Sequence, residues 1–260
     1  MLIRAVAGFV IAAAISVAAR RTRSLSIGGA IAATFTGTVA VAAGWNWGIL
    51  LILYFVSSTV LSHLRRAEKA RRLDAIVEKG GERDAVQVLA NGALFAGAAI
   101  MMLVRPHARW IALGAGALAA SAADTWATEI GTLARRLPRS ILTGRAVPTG
   151  TSGAISVAGT IAMVAGALFI GLLVLLFGWT LEIATSVTIA GIFGAMLDTL
   201  LGATLQARRW CAQCSRETER TVHDCGTATT HKRGLGWLDN DMVNFLSGAA
   251  GGLLAALLSR

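Results

Sequence analysis

Apolar positions gather in eight long stretches, roughly 2–19, 27–43, 46–63, 86–104, 109–130, 154–178, 182–205 and 242–258. Each comes near the length of ~20 residues that a helix needs to cross the hydrocarbon core of a bilayer. The pattern predicts an all-α polytopic membrane helical bundle of about eight transmembrane helices, a single integral membrane domain over residues 1–260. The first stretch, with Arg4 ahead of it and small residues before Arg20, also has the form of a signal peptide; the many spans that follow favour a retained helix.

Composition supports this pattern: 55% of positions are hydrophobic, 15% are charged, and the mean hydropathy is +0.65. A soluble domain with one core is excluded. The net charge of +10 comes from 24 Lys and Arg against 14 Asp and Glu. Of those cations, 20 lie in the loops after the odd-numbered spans: Arg20, Arg21 and Arg23, then Arg65 to Arg83, then Arg135 to Arg145, then Arg208 to Arg233. The positive-inside rule puts these loops in the cytoplasm and both termini outside, as expected of a cell (inner) membrane protein. Trp45, Trp47, Trp110 and Trp179 then fall at the outer interface. The basic excess is accounted for by topology and anionic headgroups, and no nucleic-acid-binding module is recognisable.

Ionisable side chains inside apolar spans cost several kcal/mol and call for a partner or a purpose. Here they converge. Asp124 and Glu129 end the fifth span, Asp198 lies late in the seventh, Asp84, Gln87 and Asn91 begin the fourth, and Asp241 and Asn244 begin the eighth. With the orientation above, all of them lie in the cytoplasmic third of the bilayer. Asp84, Gln87 and Asn91 share one helix face by their spacing, as do Asp241 and Asn244. Asp124, Glu129 and Asp198 are hard oxygen donors of the kind that hold Mg²⁺ beside substrate phosphates.

The loop before the sixth span, Val147-Pro148-Thr149-Gly150-Thr151-Ser152-Gly153, offers close backbone approach, hydroxyl donors and a following helix N-terminus. It reads as a phosphate cradle, with Arg139 and Arg145 nearby, and it is not a Walker A sequence. The 207–240 segment is predicted to be a cytoplasmic loop inserted between the last two spans. It carries Cys211-Ala212-Gln213-Cys214 and His223-Asp224-Cys225, four ligands for a closed, structural Zn²⁺ site, with His231 as a spare. Such an ion pins a loop that otherwise lacks a core.

The stretches Arg83 to Gly92, Ala123 to Gly131, Val147 to Gly153, Leu197 to Gln206 and Asn240 to Asn244 together resemble an integral-membrane family. That family contains the phytyl-phosphate kinases of plants and cyanobacteria and transmembrane protein nineteen of animals. The resemblance implies phosphorylation of an isoprenoid monophosphate by CTP or another nucleoside triphosphate at the cytoplasmic face. It implies a catalytic centre of Asp124, Glu129, Asp198, Asp84 and Asn91, with Mg²⁺ on Asp124, Glu129 and Asp198. It assigns nucleotide and phosphate contacts to Gln87, Arg139, Thr149, Gly150, Thr151, Ser152, Gly153, Gln206, Asn240, Asp241 and Asn244. Between Leu64 and Arg83 the chain departs from the family, being Arg-rich with only Lys69 and Lys79, so no cation there is assigned to the transferred phosphate. The same parts would serve a CTP-dependent lipid-phosphate cytidylyltransferase. A membrane transporter is the reading from outside enzymology, and a scaffold whose zinc loop docks a partner is a further one; the outer leaflet, which offers little beyond Glu182, disfavours a through-going ion path. Small residues in the last span permit helix packing within one chain or in an oligomer.

Overall fold

The structure, a computed structural model, describes residues 1–73, 82–223 and 225–259, with the backbone alone for 70–73. Lys79, Asp224, Arg260 and the side chains of Arg71 and Arg72 lie outside the described residues. The helices are α1 (Leu2–Arg21), α2 (Ile27–Ala43), α3 (Trp45–His63), α4 (Arg66–Leu73), α5 (Ala85–Val104), α6 (Ala108–Gly131), α7 (Val157–Leu176), α8 (Leu181–Thr204) and α9 (Asn240–Leu258). All eight apolar stretches are helical, and α1, α3, α5, α7, α8 and α9 are long and apolar enough to cross a membrane. α2 is an apolar helix of 17 residues.

The helix starts follow from local chemistry. Ser26, Asp84, Ser156, Thr180 and Asp239 each accept a hydrogen bond from a backbone N–H in the first turn of the helix they begin. The sixth stretch begins its helix at Val157 rather than at 154, because Ala154–Ile155 is a short strand, β2, paired with β1 (Arg139–Ser140).

α6 is the axis of the bundle, packed against α3, α5, α7, α8 and α9. It can hold so many neighbours because its interior face is almost entirely Ala, Gly and Ser from Ala112 to Ala123. A Cβ on Gly116 would stand 2.5 Å from Ala255 Cβ and 2.9 Å from Gly251 O, so α6 and α9 approach backbone to backbone. In contrast, α1 makes its main contacts with α2 alone. Large apolar side chains such as Phe9, Ile31, Val60 and Leu172 point outward around the bundle, as a lipid-facing surface requires.

Trp47 corrects one expectation: it is 4% exposed and packs on Phe95 and Trp179 inside the core instead of lying at an interface, whereas Trp45 is exposed. The two ends of the bundle differ. At one, short turns join α2 to α3, α5 to α6 and α7 to α8. The other gathers the long basic connections and most of the polar chemistry. There the 207–240 segment is not a coreless loop: β3 (Arg208–Cys211), β4 (Arg216–Thr218) and β5 (Thr230–Arg233) form an antiparallel sheet in the order β4-β3-β5. Its base is tied to the bundle, since Ala207 N–H donates to Leu238 O at 2.8 Å and Leu235 N–H to Leu205 O at 2.8 Å.

Candidate functional site

At the loop-rich end the helices part around a cavity of about 710 Å³. Among the residues expected from the sequence, its wall includes Gln87, Asn91, Asp124, Glu129, Asp198, Thr149 to Gly153, Gln206, Asn240 and Asn244. These come from α5, α6, α8, α9 and the loop before α7, so the convergence is a product of the fold. Asp84, Arg139 and Asp241 are not in that wall. Asp84 caps α5 in a reciprocal pair with Gln87, each side chain accepting from the other's backbone N–H. Arg139 is exposed and donates to Gly144 O at 2.7 Å, and Asp241 is buried beside the cavity rather than lining it.

The three acids expected to share a metal have different surroundings. Both oxygens of Glu129 are taken: Ser62 Oγ donates to Oε1 at 2.6 Å and Lys69 Nζ donates to Oε2. Arg83 donates to the same Ser62 hydroxyl at 3.1 Å. Lys69 is 4% exposed and also donates to the carbonyls of Leu61 and Ser62 in the last turn of α3. Asp124 and Asp198 have no ion-pair partner among the described residues, and Asp198 accepts a hydrogen bond from Ser247 at 3.0 Å. Asp124 and Asp198 are thus the two of the three that could hold a cation without giving up an ion pair, whereas Glu129 is paired with Lys69.

The Thr149 to Gly153 loop is shaped by its own bonds. Thr151 donates from both N–H and hydroxyl to Pro148 O, and Gly150 and Gly153 take φ of +88° and +78°. Gly153 lies so close to α8 that a Cβ would stand 2.3 Å from Ala203 Cβ. From the other side Ser152 donates to Glu219 Oε1. Glu219 also accepts from Arg208 Nη1 at 2.9 Å, and Arg208, 2% exposed, reaches Ser152 O at 3.4 Å. Burial lowers the pKa of Arg208 from its ordinary value, and Glu219 opposes that change. The Gln206 Nε2 in the cavity wall is buried and has no hydrogen-bond partner among the described residues. The sequence reading missed Lys69, Arg83, Arg208 and Glu219; only the departure at Lys69 gave a signal.

The ligand atoms of Cys211, Cys214, His223 and Cys225 all lie within 4.8 Å of one another, and this cluster could hold a metal ion. Cys211 Sγ is 3.6 Å from Cys225 Sγ, close to the ~3.8 Å edge of a tetrahedron with Zn–S bonds of about 2.3 Å. His223 turns Nδ1 to Cys225 Sγ at 3.4 Å. Hydrogen bonding with Thr227 and then with His223 brings the Cys225 thiol down to about 6, while its bond to Cys225 raises Cys214 to about 11. His231 sits exposed on β5, away from the cluster.

A bundle of apolar helices long enough to cross a bilayer, with a polar chamber at one end, defines a polytopic membrane protein. The chain belongs to the family described as integral membrane protein DUF92, which it matches over residues 10–252. It is 29% identical to Protein PGR of Arabidopsis thaliana, covering 94% of this chain and 92% of the relative. An uncharacterized membrane protein of Methanocaldococcus jannaschii is 30% identical, over 99% of this chain and 95% of its own. Protein VTE6, chloroplastic, of Arabidopsis thaliana is 28% identical over 91% of this chain and 66% of its own. No solved structure matches.

Proposed function

We propose that this protein is a membrane-embedded kinase that transfers a phosphoryl group from CTP or another nucleoside triphosphate to a prenyl monophosphate. The chamber carries this reading because it joins a phosphate-binding chemistry to an apolar limb. The polar part holds Asp124, Asp198, Gln206 and the Thr149 to Gly153 loop, with Arg23, Arg66, Lys69, Arg83 and Arg220 also in the wall. The apolar part runs between α1, α2 and α3 past Ile15, Ala33, Ile52 and Phe55. Its deepest residues, Ala12, Gly37 and Leu51, lie 9, 10 and 12 residues from the helix ends at Arg21, Ile27 and His63. At 1.5 Å per residue the limb descends about 14–18 Å, roughly half the hydrocarbon thickness. A phosphate headgroup with a long hydrocarbon tail fits both parts at once. The basic loops orient this end to the cytoplasm of an inner-type membrane.

The chemistry asks little covalent help from the protein. An oxygen of the acceptor monophosphate attacks the γ-phosphorus, the bond to the β,γ-bridging oxygen breaks, and a nucleoside diphosphate and a lipid diphosphate result. Asp124 and Asp198 would hold Mg²⁺, which when bound neutralises phosphate charge. The loop amides orient the phosphates, the basic side chains favour the anionic transition state, and Glu129 fixes Lys69. Zn²⁺ on the cysteine cluster would serve structure. The reading follows the family resemblance, and the relatedness to Protein VTE6 supports it.

The test is an assay of the purified protein in detergent with farnesyl, geranylgeranyl and phytyl monophosphates, Mg²⁺ and each nucleoside triphosphate, with products resolved by mass spectrometry. A lipid diphosphate and a nucleoside diphosphate are expected. A CDP-lipid with pyrophosphate would make it a cytidylyltransferase instead, and absence of any nucleotide binding would overturn the enzyme reading.

A further inference from the structure

We propose that the metal ion held by Cys211, Cys214, His223 and Cys225 sets the shape of the Thr149 to Gly153 loop, with Arg208 and Glu219 as the positioning residues between them. This rests on the reading that the loop binds nucleotide phosphates. β3 and β4 form one hairpin in which Arg209 faces Thr218 and Cys211 faces Arg216. That register puts Cys211 and Cys214 at the closed tip and brings Arg208 opposite Glu219 at the open end, about 10 Å away at the rise of a strand. His223 and Cys225 come from the segment after the hairpin, itself returned by the Val222 to Ala228 bridge. The ion therefore staples the hairpin tip to the segment that follows, whose other ties to the hairpin lie nearer its base: β3 pairs with β5, Arg209 donates to Thr229 Oγ1 at 2.8 Å and to Thr229 O at 2.9 Å, and Lys232 meets Glu217 at 2.9 Å.

The base of this small sheet is tied to the bundle and the tip is not, so the ion is the constraint that the tip has. What the ion holds at its tip is transmitted to the base, where Glu219 receives both the Arg208 guanidinium and the Ser152 hydroxyl. Ser152 is gripped by side chain and by backbone carbonyl, while Gly153 beside it is pressed against Ala203. The loop is thus clamped between α8 and the hairpin, and the hairpin side of the clamp depends on Arg208 and Glu219 staying opposite each other. Loss of the ion frees the tip, and the buried pair loses the register that sets its geometry.

The experiment uses the full chain in detergent, with metal content by mass spectrometry, amide hydrogen exchange over residues 138–156, and binding of a non-hydrolysable nucleotide. Wild type should carry zinc. Chelation and Cys214→Ser should remove it, speed exchange at residues 150–153 and weaken nucleotide binding about tenfold, the lower end of effects from outer-shell partners. Glu219→Gln should keep the zinc and still loosen the loop, which a merely structural role of the ion would not produce. Failure of the wild-type chain to retain zinc, cobalt or iron overturns the proposal. Loop exchange indifferent to ion loss does so too, as does unaltered nucleotide affinity once the loop has loosened. If the loop answers to the ion but wild type binds no nucleotide, the clamp stands and the kinase reading falls.

Discussion

Lys69 and Glu129 meet in the chamber wall, the ammonium donating to one carboxylate oxygen while Ser62 holds the other at 2.6 Å. Breaking this pair from one side strands a charge. Glu129→Gln should lower the unfolding free energy by about 3 kcal/mol, the low end for a buried pair losing one member. The double variant Lys69→Met with Glu129→Leu should recover most of that stability but not turnover. Thermal unfolding in detergent and the product assay, run as a double-mutant cycle, check both parts; equal turnover in the double variant and wild type would remove Lys69 from the site.

Asp124 and Asp198 have no such partner, so their removal should relieve the fold and disable the chemistry. Asp124→Asn and Asp198→Asn are expected to melt at or above the wild-type temperature while losing transfer by at least ~100-fold. Normal turnover in both variants would eliminate the cation site.

Gly153 and Gly144 separate two reasons for glycine. Both have positive φ, +78° and +67°, but a Cβ at Gly153 collides with Ala203 whereas one at Gly144 meets nothing within 4 Å. Gly144→Ala should cost about 1 kcal/mol of local strain and leave nucleotide binding near normal. Gly153→Ala should displace the loop and abolish binding. Equal affinities for the two variants, measured by titration, would show that the Ala203 contact does not shape the site.

The Gly116 contact with α9 leaves no space for any side chain. Gly116→Val is expected to lower stability by at least ~3 kcal/mol, above the usual range for overpacking because the clash is with backbone. A thermal melt indistinguishable from wild type would contradict the close α6 to α9 approach.

Orientation has its own check. All three cysteines lie at the loop-rich end, whereas Arg105 is exposed at the opposite one. A membrane-impermeant maleimide should leave the wild-type chain unlabelled in intact cells and label Arg105→Cys. The reverse pattern would put the chamber outside.

The spans were legible because an apolar run of nearly 20 residues has few other uses, and the polar constellation because ionisable groups are rare in such runs. Lys69 and Arg83 were not, since the stretch from Leu64 to Arg83 is charged throughout and only packing decides which cation turns inward. Asp84 has a local role that its spacing already spells out. Asp84 followed by Gln87 is a capping pair, and its nearness to Asn91 suggested chemistry where the backbone needed a cap. Strands of three or four residues leave too short a pattern to read, so the sheet that brings Glu219 to Ser152 was hidden with it.

The uneven packing of the bundle bears on how such a protein can change its diet. The acids and the loop sit on α6, α8 and just before α7, and at the glycines where these helices touch, such as Gly166 against Ala122 and Gly191 against Ala119, a larger residue forces backbones apart. The tail limb is bounded by α1, α2 and α3, and α1 leans mainly on α2. Under the proposed function, a change of lipid tail can therefore be met by substitutions on that flank alone, with the acids and the loop untouched.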